Sequence, residues 1–495
     1  MAVCRFHLFP LRLILVVALS GLSSVGWIPR TALADKPIAL HPENPHYFLW
    51  RDKPTILVTS GEHYGAVLNL DFDFDRYLAT LAADGLNHTR TFSGTYREDP
   101  TSFKITDNTL APKPNRYCAP WARSDSPGYF DGGNKFDLTK WDEEYFQRMR
   151  RFLSSARKHG VVVEITLFCP LYREEMWAAS PMNVKNNVNG VGDCRRDESL
   201  SLKHPQLVEV QTEFVRKIVR ELNEFDNLYF EICNEPYVRK VPDDWQYRMI
   251  DVVVETERSL PNQHLISLNI SNGRRKVENP HGAVSIFNFH YCVPPDTVAL
   301  NFGLNKVIGE NETGFRGRHD FLYRSEGWDF LLAGGGLYNN LDYSFTPAYP
   351  AGDFLDYQSP GGGSPDLRRQ LGILKRFLDG LPLLRMKPND AVIRSISGGL
   401  EGRVLAEPGK AYAIYVRVPI PHKPKRIEEH LRDEIEVKLV VDLLPGHYRA
   451  EWVSTSTGTI EGVEQWNHSG GEREMRSPKF ANDVALRILS TDASK

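Results

Sequence analysis

Two acidic segments far apart in the chain carry the residues best suited to chemistry. In the first, Asn227-Leu228-Tyr229-Phe230-Glu231-Ile232-Cys233-Asn234-Glu235-Pro236-Tyr237, a largely apolar, β-prone run ends in Asn234 and Glu235, just before a proline that cannot donate to a sheet ladder. In the second, Lys306-Val307-Ile308-Gly309-Glu310-Asn311-Glu312-Thr313-Gly314, two glutamates close another such run. Carboxyl groups at two strand ends can share one reaction, one giving and taking a proton while the other attacks an electrophilic carbon. Cleavage of an acetal with retention needs such a pair about 5–5.5 Å apart, the attacking group ionised and its partner protonated.

Side-chain alternation constrains both segments. Tyr229, Glu231, Cys233 and Glu235 share one strand face and Asn234 belongs to the other, so Asn234 and Glu235 serve one pocket only if the chain is already turning before Pro236. Glu310 and Glu312, two apart, share a face in a regular strand, so alternation leaves both as candidates for the attacking group.

The elements that must position these residues follow from periodicity. Strands are expected at 54–60 (PTILVTS), 86–92 (LNHTRTF, with Arg90 near its carboxyl end), 161–168 (VVVEITLF), 228–233, 265–270, 284–289, 306–312 and 336–345. Amphipathic helices are expected between most of them: near 72–83, from Trp141 to Gly160 with Asp137 or Thr139 as its cap, from Leu207 to Leu222, at 243–260, around 320–330 and at 365–378. Eight strands alternating with helices through right-handed crossovers predict a closed (β/α)8 barrel, an α/β fold in which every strand's carboxyl end lies on one rim. That rim then receives Glu235, the 310–312 segment, His290-Tyr291 after the sixth strand and His63 in Gly61-Glu62-His63-Tyr64 after the first. Beyond Pro382 the rhythm changes to short strands at 391–396, 402–406, 411–416, 436–441, 446–453 and 484–488, which predicts a small all-β sandwich.

Composition narrows the class. The chain has 495 residues, a formal charge of −3 and 41% hydrophobic residues, which offers no electrostatic case for nucleic acid or for a membrane surface. Arg5 and Arg12, an apolar run at 13–22 and Ala32-Leu33-Ala34 before Asp35 read as a secretory signal, too short to span a bilayer comfortably. The expected organisation is a signal peptide at 1–34, a barrel at 35–382 and a sandwich at 383–495, in a secreted or periplasmic protein with no membrane association beyond the signal. Of six cysteines Cys4 leaves with the signal; Cys118 and Cys194, in long loops, are the pair that could bridge. No cysteine or histidine spacing reads as a zinc site.

Across 54–380 the chain resembles the clan A glycoside hydrolases, the retaining superfamily that includes cellulases and mannanases. In that clan the fourth strand ends in Asn-Glu, matched by Asn234 and Glu235, and the resemblance implies that Glu235 is the acid/base. The seventh strand ends in the nucleophile, often within Lys-Pro, four residues, Glu-x-Gly. Lys306 to Gly314 fits that spacing with Glu312 as the nucleophile and Val307 in place of proline, while Glu310 fits a shorter Gly-Glu signature; Glu312 is preferred. By the same resemblance Arg90 would hydrogen-bond the nucleophile, His290 and Tyr291 would flank it, Asn234 would bind the sugar's 2-hydroxyl, and Trp177, Trp121 and Trp328 would be sugar platforms. Tyr448-Arg449-Ala450-Glu451-Trp452 followed by Ser456-Thr457-Gly458 resembles the sandwich found behind such barrels under the label of collagen-binding domain. The resemblance implies a carbohydrate substrate, double displacement and no cofactor or metal. Two alternatives share the pattern: a carbohydrate-binding or adhesive barrel without turnover, and a transglycosylase using the same residues.

Overall fold

The computed structural model of the protein describes Met1 and residues 36–492; the expected signal at 1–34 otherwise lies outside the described residues. Eight strands form one parallel sheet: β1 (Leu57–Gly61), β2 (His88–Phe92), β3 (Val162–Phe168), β4 (Leu228–Cys233), β5 (Ile266–Asn272), β6 (Val284–His290), β7 (Val307–Thr313) and β8 (Leu337–Leu341). They are ordered β1-β8-β7-β6-β5-β4-β3-β2. The circle closes at β1 and β2 through Asn87, whose carboxamide accepts from the Val58 amide at 2.9 Å and donates to the Ile56 carbonyl at 2.9 Å. The Asn87 amide also donates to the Val58 carbonyl at 3.2 Å, so backbone and side chain of one residue together close the circle.

Outside the strands run α1 (Phe74–Ala83), α2 (Glu143–Lys158), α3 (Pro205–Leu222), α4 (Asp243–Glu257), α5 (Asp296–Asn301), α6 (Asp320–Leu332) and α7 (Pro365–Asp379). No helix separates β5 from β6, which residues 273–283 join directly. The cap of α2 is Asp142, whose carboxylate accepts from the amides of Glu144 and Tyr145. Asp137 and Thr139, the expected caps, lie instead in an antiparallel hairpin, Trp121–Pro127 with Asn134–Trp141, that projects from the β2–α2 connection.

A three-stranded meander at 39–55 seats Ile38, Phe48 and Trp50 against Leu57, Val162, Tyr229, Ile286, Val307 and Leu337, the first inward layer of the barrel, and so plugs its amino-terminal end. Above this apolar layer the interior turns polar. Glu164 accepts from Ser267 (3.2 Å), Asn288 (2.8 Å) and Asn311 (3.1 Å), and Glu231 accepts from Asn311 at 2.6 Å and from Arg90. Burial, followed by the charge of Glu231, pushes the Glu164 carboxyl well above the ordinary range, so this layer holds a proton between two acids and one guanidinium.

The carboxyl-terminal region is a sandwich of two antiparallel sheets. Its strands are β9 (Ile393–Ile396), β10 (Glu401–Glu407), β11 (Ala411–Arg417), β12 (Lys438–Leu443), β13 (Gly446–Ser454), β14 (Ile460–His468), β15 (Gly471–Arg476) and β16 (Asp483–Ser490). The larger sheet runs β10-β11-β16-β13-β14, with Lys387–Pro388 outside β10, and the smaller runs β9-β12-β15. Val404, Ile414, Trp452 and Leu486 of the first meet Leu439, Val441 and Met475 of the second. Helix α6 lies between barrel and sandwich: Trp328 stacks on Tyr415 with ring centroids 5.3 Å apart, Phe321 joins the sandwich core, and Arg324 makes a two-pronged ion pair with Asp483 at 2.6 and 3.0 Å.

All five cysteines among the described residues are free, Cys118 and Cys194 included, which corrects the expectation that these two could bridge. No helix among the described residues is long and apolar enough to cross a membrane.

Candidate active site

The rim at the strands' carboxyl ends encloses a pocket of about 340 Å³ lined by His63, Tyr64, Phe92, Tyr96, Glu98, Phe103, Tyr172, Asn234, Glu235, Tyr291, Glu312, Phe315 and Lys423, among others. Glu235 enters it because β4 stops at Cys233 and residue 235 takes a left-handed conformation (φ 37°, ψ 48°) ahead of the short helix Pro236–Arg239. That turn lets Asn234 and Glu235 face the same space. Tyr172 donates to Glu235 Oε2 at 2.7 Å, Tyr237 reaches Oε1 at 3.3 Å, and His290 Nδ1 lies 3.2 Å from Oε1. Asn269 Oδ1 accepts the Glu235 amide at 2.8 Å and pins the turn to β5.

Glu312 reaches the pocket through an irregularity in β7. Along β6, Phe289 pairs with Glu310 but His290 pairs with Glu312, so Asn311 is an extra residue. The bulge corrects the expectation that Glu310 and Glu312 share a face. Asn311 turns inward to Glu164 and Glu231, Glu312 turns into the pocket, and Glu310 points out towards α6. There Glu310 accepts from the Cys292 amide at 2.6 Å; burial and then the neighbouring Glu326 push its carboxyl well above the ordinary range, which suits a protonated structural acid.

Four donors converge on Glu312. Tyr64 donates to Oε2 at 2.9 Å, Arg90 Nη1 to the same oxygen at 3.3 Å and Tyr291 to Oε1 at 2.6 Å, while His290 Nδ1 lies 3.4 Å from Oε1. Arg90 also donates to Asn234 Oδ1 at 2.7 Å and to Glu231, and its guanidinium sits 4.5 Å from the Tyr64 ring centroid. One buried arginine therefore orients both the asparagine beside one carboxylate and the other carboxylate itself. Burial, then the charge of Glu312, raises the Tyr64 and Tyr291 phenols well above their ordinary value, so both remain donors.

An oxygen of Glu235, an oxygen of Glu312 and a ring nitrogen of His290 lie within 4.8 Å of one another. These three residues are also the one group among the described residues spaced to hold a metal ion; Glu235 Oε1 and His290 Nδ1 face each other and Tyr291 donates to Glu312 Oε1. Burial alone would raise the Glu235 carboxyl; the hydrogen bond and charge of His290, with the Tyr172 and Tyr237 hydroxyls, outweigh it and hold the group below its ordinary value in the open pocket.

Of the residues singled out in the sequence, Glu235, Glu312, Asn234, Tyr291 and His63 line the pocket, and Arg90 and His290 stand behind it in direct contact with its carboxylates. His63 Nε2 faces Glu98 at 3.5 Å. Trp177 does not reach the pocket: it is 5% exposed and its indole donates to the Cys194 carbonyl at 3.1 Å. Trp121 and Trp328 are equally buried, the first against Phe214 and the second at the sandwich, so all three tryptophans are packing residues. The aromatic wall is made instead by Phe103, Tyr172 and Phe315, which meet edge to face. Tyr64, Tyr172 and Tyr237 escaped the sequence reading because no strand or helix period marks them.

No protein-family model matches the sequence, and no curated protein matches it. Solved structures do match. A candidate glycoside hydrolase from Bacteroides vulgatus ATCC 8482 superposes with a TM-score of 0.62 at 13% identity, covering 92% of this chain and 83% of its own. A glycoside hydrolase family 5 protein from the same organism gives a TM-score of 0.59 at 12% identity, covering 93% and 95%. Another structure, a glycoside hydrolase, gives 0.59 at 12% identity, covering 93% and 98%. The fold is the one these proteins share. It spans both barrel and sandwich, so the resemblance read from strand ends and turns extends to the architecture of the whole described chain.

Proposed function

We propose that the protein is a secreted glycoside hydrolase that cleaves O-glycosidic bonds of a polysaccharide or oligosaccharide with retention. The observation that carries this reading is the approach of a Glu235 oxygen and a Glu312 oxygen to within 4.8 Å across one pocket, which favours the close pair of double displacement. In this reading Glu312, aimed by Tyr64, Arg90 and Tyr291, attacks the anomeric carbon to form a glycosyl ester, while Glu235 gives its proton to the departing oxygen. Glu235 then takes a proton from the water that attacks the ester, and Glu312 leaves as carboxylate. A sugar oxygen that takes over the Tyr172 or Tyr237 hydroxyl removes a donor from Glu235, and burial then favours the protonated form needed for the first step. Asn234, held by Arg90 and Tyr172, is available to the sugar's 2-hydroxyl.

The test is a panel of aryl glycosides and plant polysaccharides, with a mechanism-based fluorosugar to trap the nucleophile. Glu235→Gln is expected to lower kcat by about 10²–10⁴-fold on poor leaving groups and far less on activated ones. Mass spectrometry should find the trapped sugar on Glu312 and none on the Glu312→Gln variant. Label on Glu310, or unchanged turnover in both variants, would overturn the assignment.

A further inference from the structure

The pocket is not made by the barrel alone. Lys423, on the segment 418–437 between β11 and β12 of the sandwich, lines it beside Phe315. The segment is fastened to the rim by Arg316, whose Nε donates to the His422 carbonyl at 2.7 Å and whose Nη1 is paired with buried Glu326 at 2.8 Å. Just beyond, Lys425 and Arg426 form one wall of a second cavity, about 580 Å³, whose other wall carries Arg318 and Tyr357 of the barrel. Chain neighbours line the two cavities, Phe315 and Lys423 the first and Arg316 and Pro424 the second.

The charge along this passage is uneven. Arg426 is answered by Glu429 at 3.3 Å, but among the described residues Lys423, Lys425 and Arg318 form no ion pair. Arg318 lies over the Tyr357 ring, 4.3 Å from its centroid. The acids of the second cavity are Asp320 and Glu428, and Asp320 is occupied by the Ser364 hydroxyl at 2.7 Å, its carboxyl raised by burial. Lys423 makes no ion pair with the pocket carboxylates, whose donors are the Tyr64 and Tyr172 hydroxyls, Arg90 and His290. A neutral sugar would leave Lys423 and Lys425 without a counter-charge, and Arg318, which donates to the Leu355 carbonyl and lies over Tyr357, without an anionic partner, whereas a glycan with charged substituents would meet all three.

Resting on the hydrolase reading above, we propose that the passage from Lys423 to Lys425 and Arg318 binds anionic substituents, carboxylate or sulfate, on sugars adjacent to the one cleaved, so that the sandwich sets substrate class. The test measures binding to the full-length Glu312→Gln protein, without turnover, using length-matched β-1,4-gluco- and manno-oligosaccharides in neutral, uronate and sulfated forms. Each exposed ammonium should contribute about two- to fivefold, so the anionic forms should bind about tenfold tighter at low salt and lose the advantage at high salt. Adding Lys423→Gln and Lys425→Gln should collapse the anionic-to-neutral ratio, while Lys158→Gln, at the far end of α2, should not. A uronate-only or sulfate-only preference identifies the substituent and supports the proposal. Equal or weaker affinity of all anionic forms, or a preference that survives both lysine variants, overturns it. Fluorosugar labelling of the wild type is read separately: labelled Glu312 without anionic preference sinks this proposal alone, and anionic preference without labelling sinks the hydrolase reading.

Discussion

His290 is the residue on which both pocket carboxylates depend, with Nδ1 at 3.2 Å from Glu235 and 3.4 Å from Glu312. Burial works to raise Glu235 and the imidazole is the largest influence against it, so removing the ring leaves burial opposed by the Tyr172 and Tyr237 hydroxyls. In His290→Ala the Glu235 carboxyl should rise. Because the proposed mechanism needs Glu235 protonated to assist departure, the alkaline limb of kcat/KM should move to higher pH. A pH-rate profile of the two proteins checks this, and an unmoved alkaline limb would separate His290 from proton control. Glu310 makes the opposite case: it lies two residues from Glu312, the proposed nucleophile, and faces a helix, so its replacement by glutamine should spare the trapping reaction.

At the scale of elements, the end of β7 is braced by a glycine contact that no side chain can replace. A Cβ on Gly361, in the loop after β8, would lie 1.6 Å from the Gly314 carbonyl oxygen, two residues beyond Glu312. Gly361→Ala must therefore push the β7 turn, and a displacement of about 1 Å at a catalytic group can cost about 10²-fold in kcat. Steady-state kinetics beside a melting curve will tell a displaced nucleophile from a destabilised barrel. Much of this architecture was legible beforehand, since the strand period, the helix faces and the stop at Pro236 are local properties of the chain. What alternation could not disclose was the Asn311 bulge, because an extra residue reverses parity without leaving a mark in residue type. Tyr64 was hidden for a related reason: it sits at positive φ (63°) in a turn, where direction follows no period. Strands β14 and β15 were missed because they are charged outer strands with little burial, and Trp177 was misjudged because residue type does not report exposure.

At the scale of the whole molecule, α6 joins the two domains. Its residues Phe321 to Leu332 are all buried, and its charged side chains are answered on both sides: Glu326 by Arg316, Asp329 by Arg417 at 2.7 Å, and Arg324 by Asp483. Asp483 is fully buried and also accepts from Tyr415 at 2.8 Å, so Arg324→Ala would strand a carboxylate in the interface. The expected loss is about 3–5 kcal/mol, with Arg324→Met combined with Asp483→Leu recovering part of it; chemical denaturation of both variants measures the difference. A helix wetted on neither flank also limits how such a protein can diversify. Lineages that trade accessory modules across flexible linkers can do so one module at a time, but here a new tail would have to arrive together with a new α6, and with it Glu326, which holds Arg316 just beyond β7.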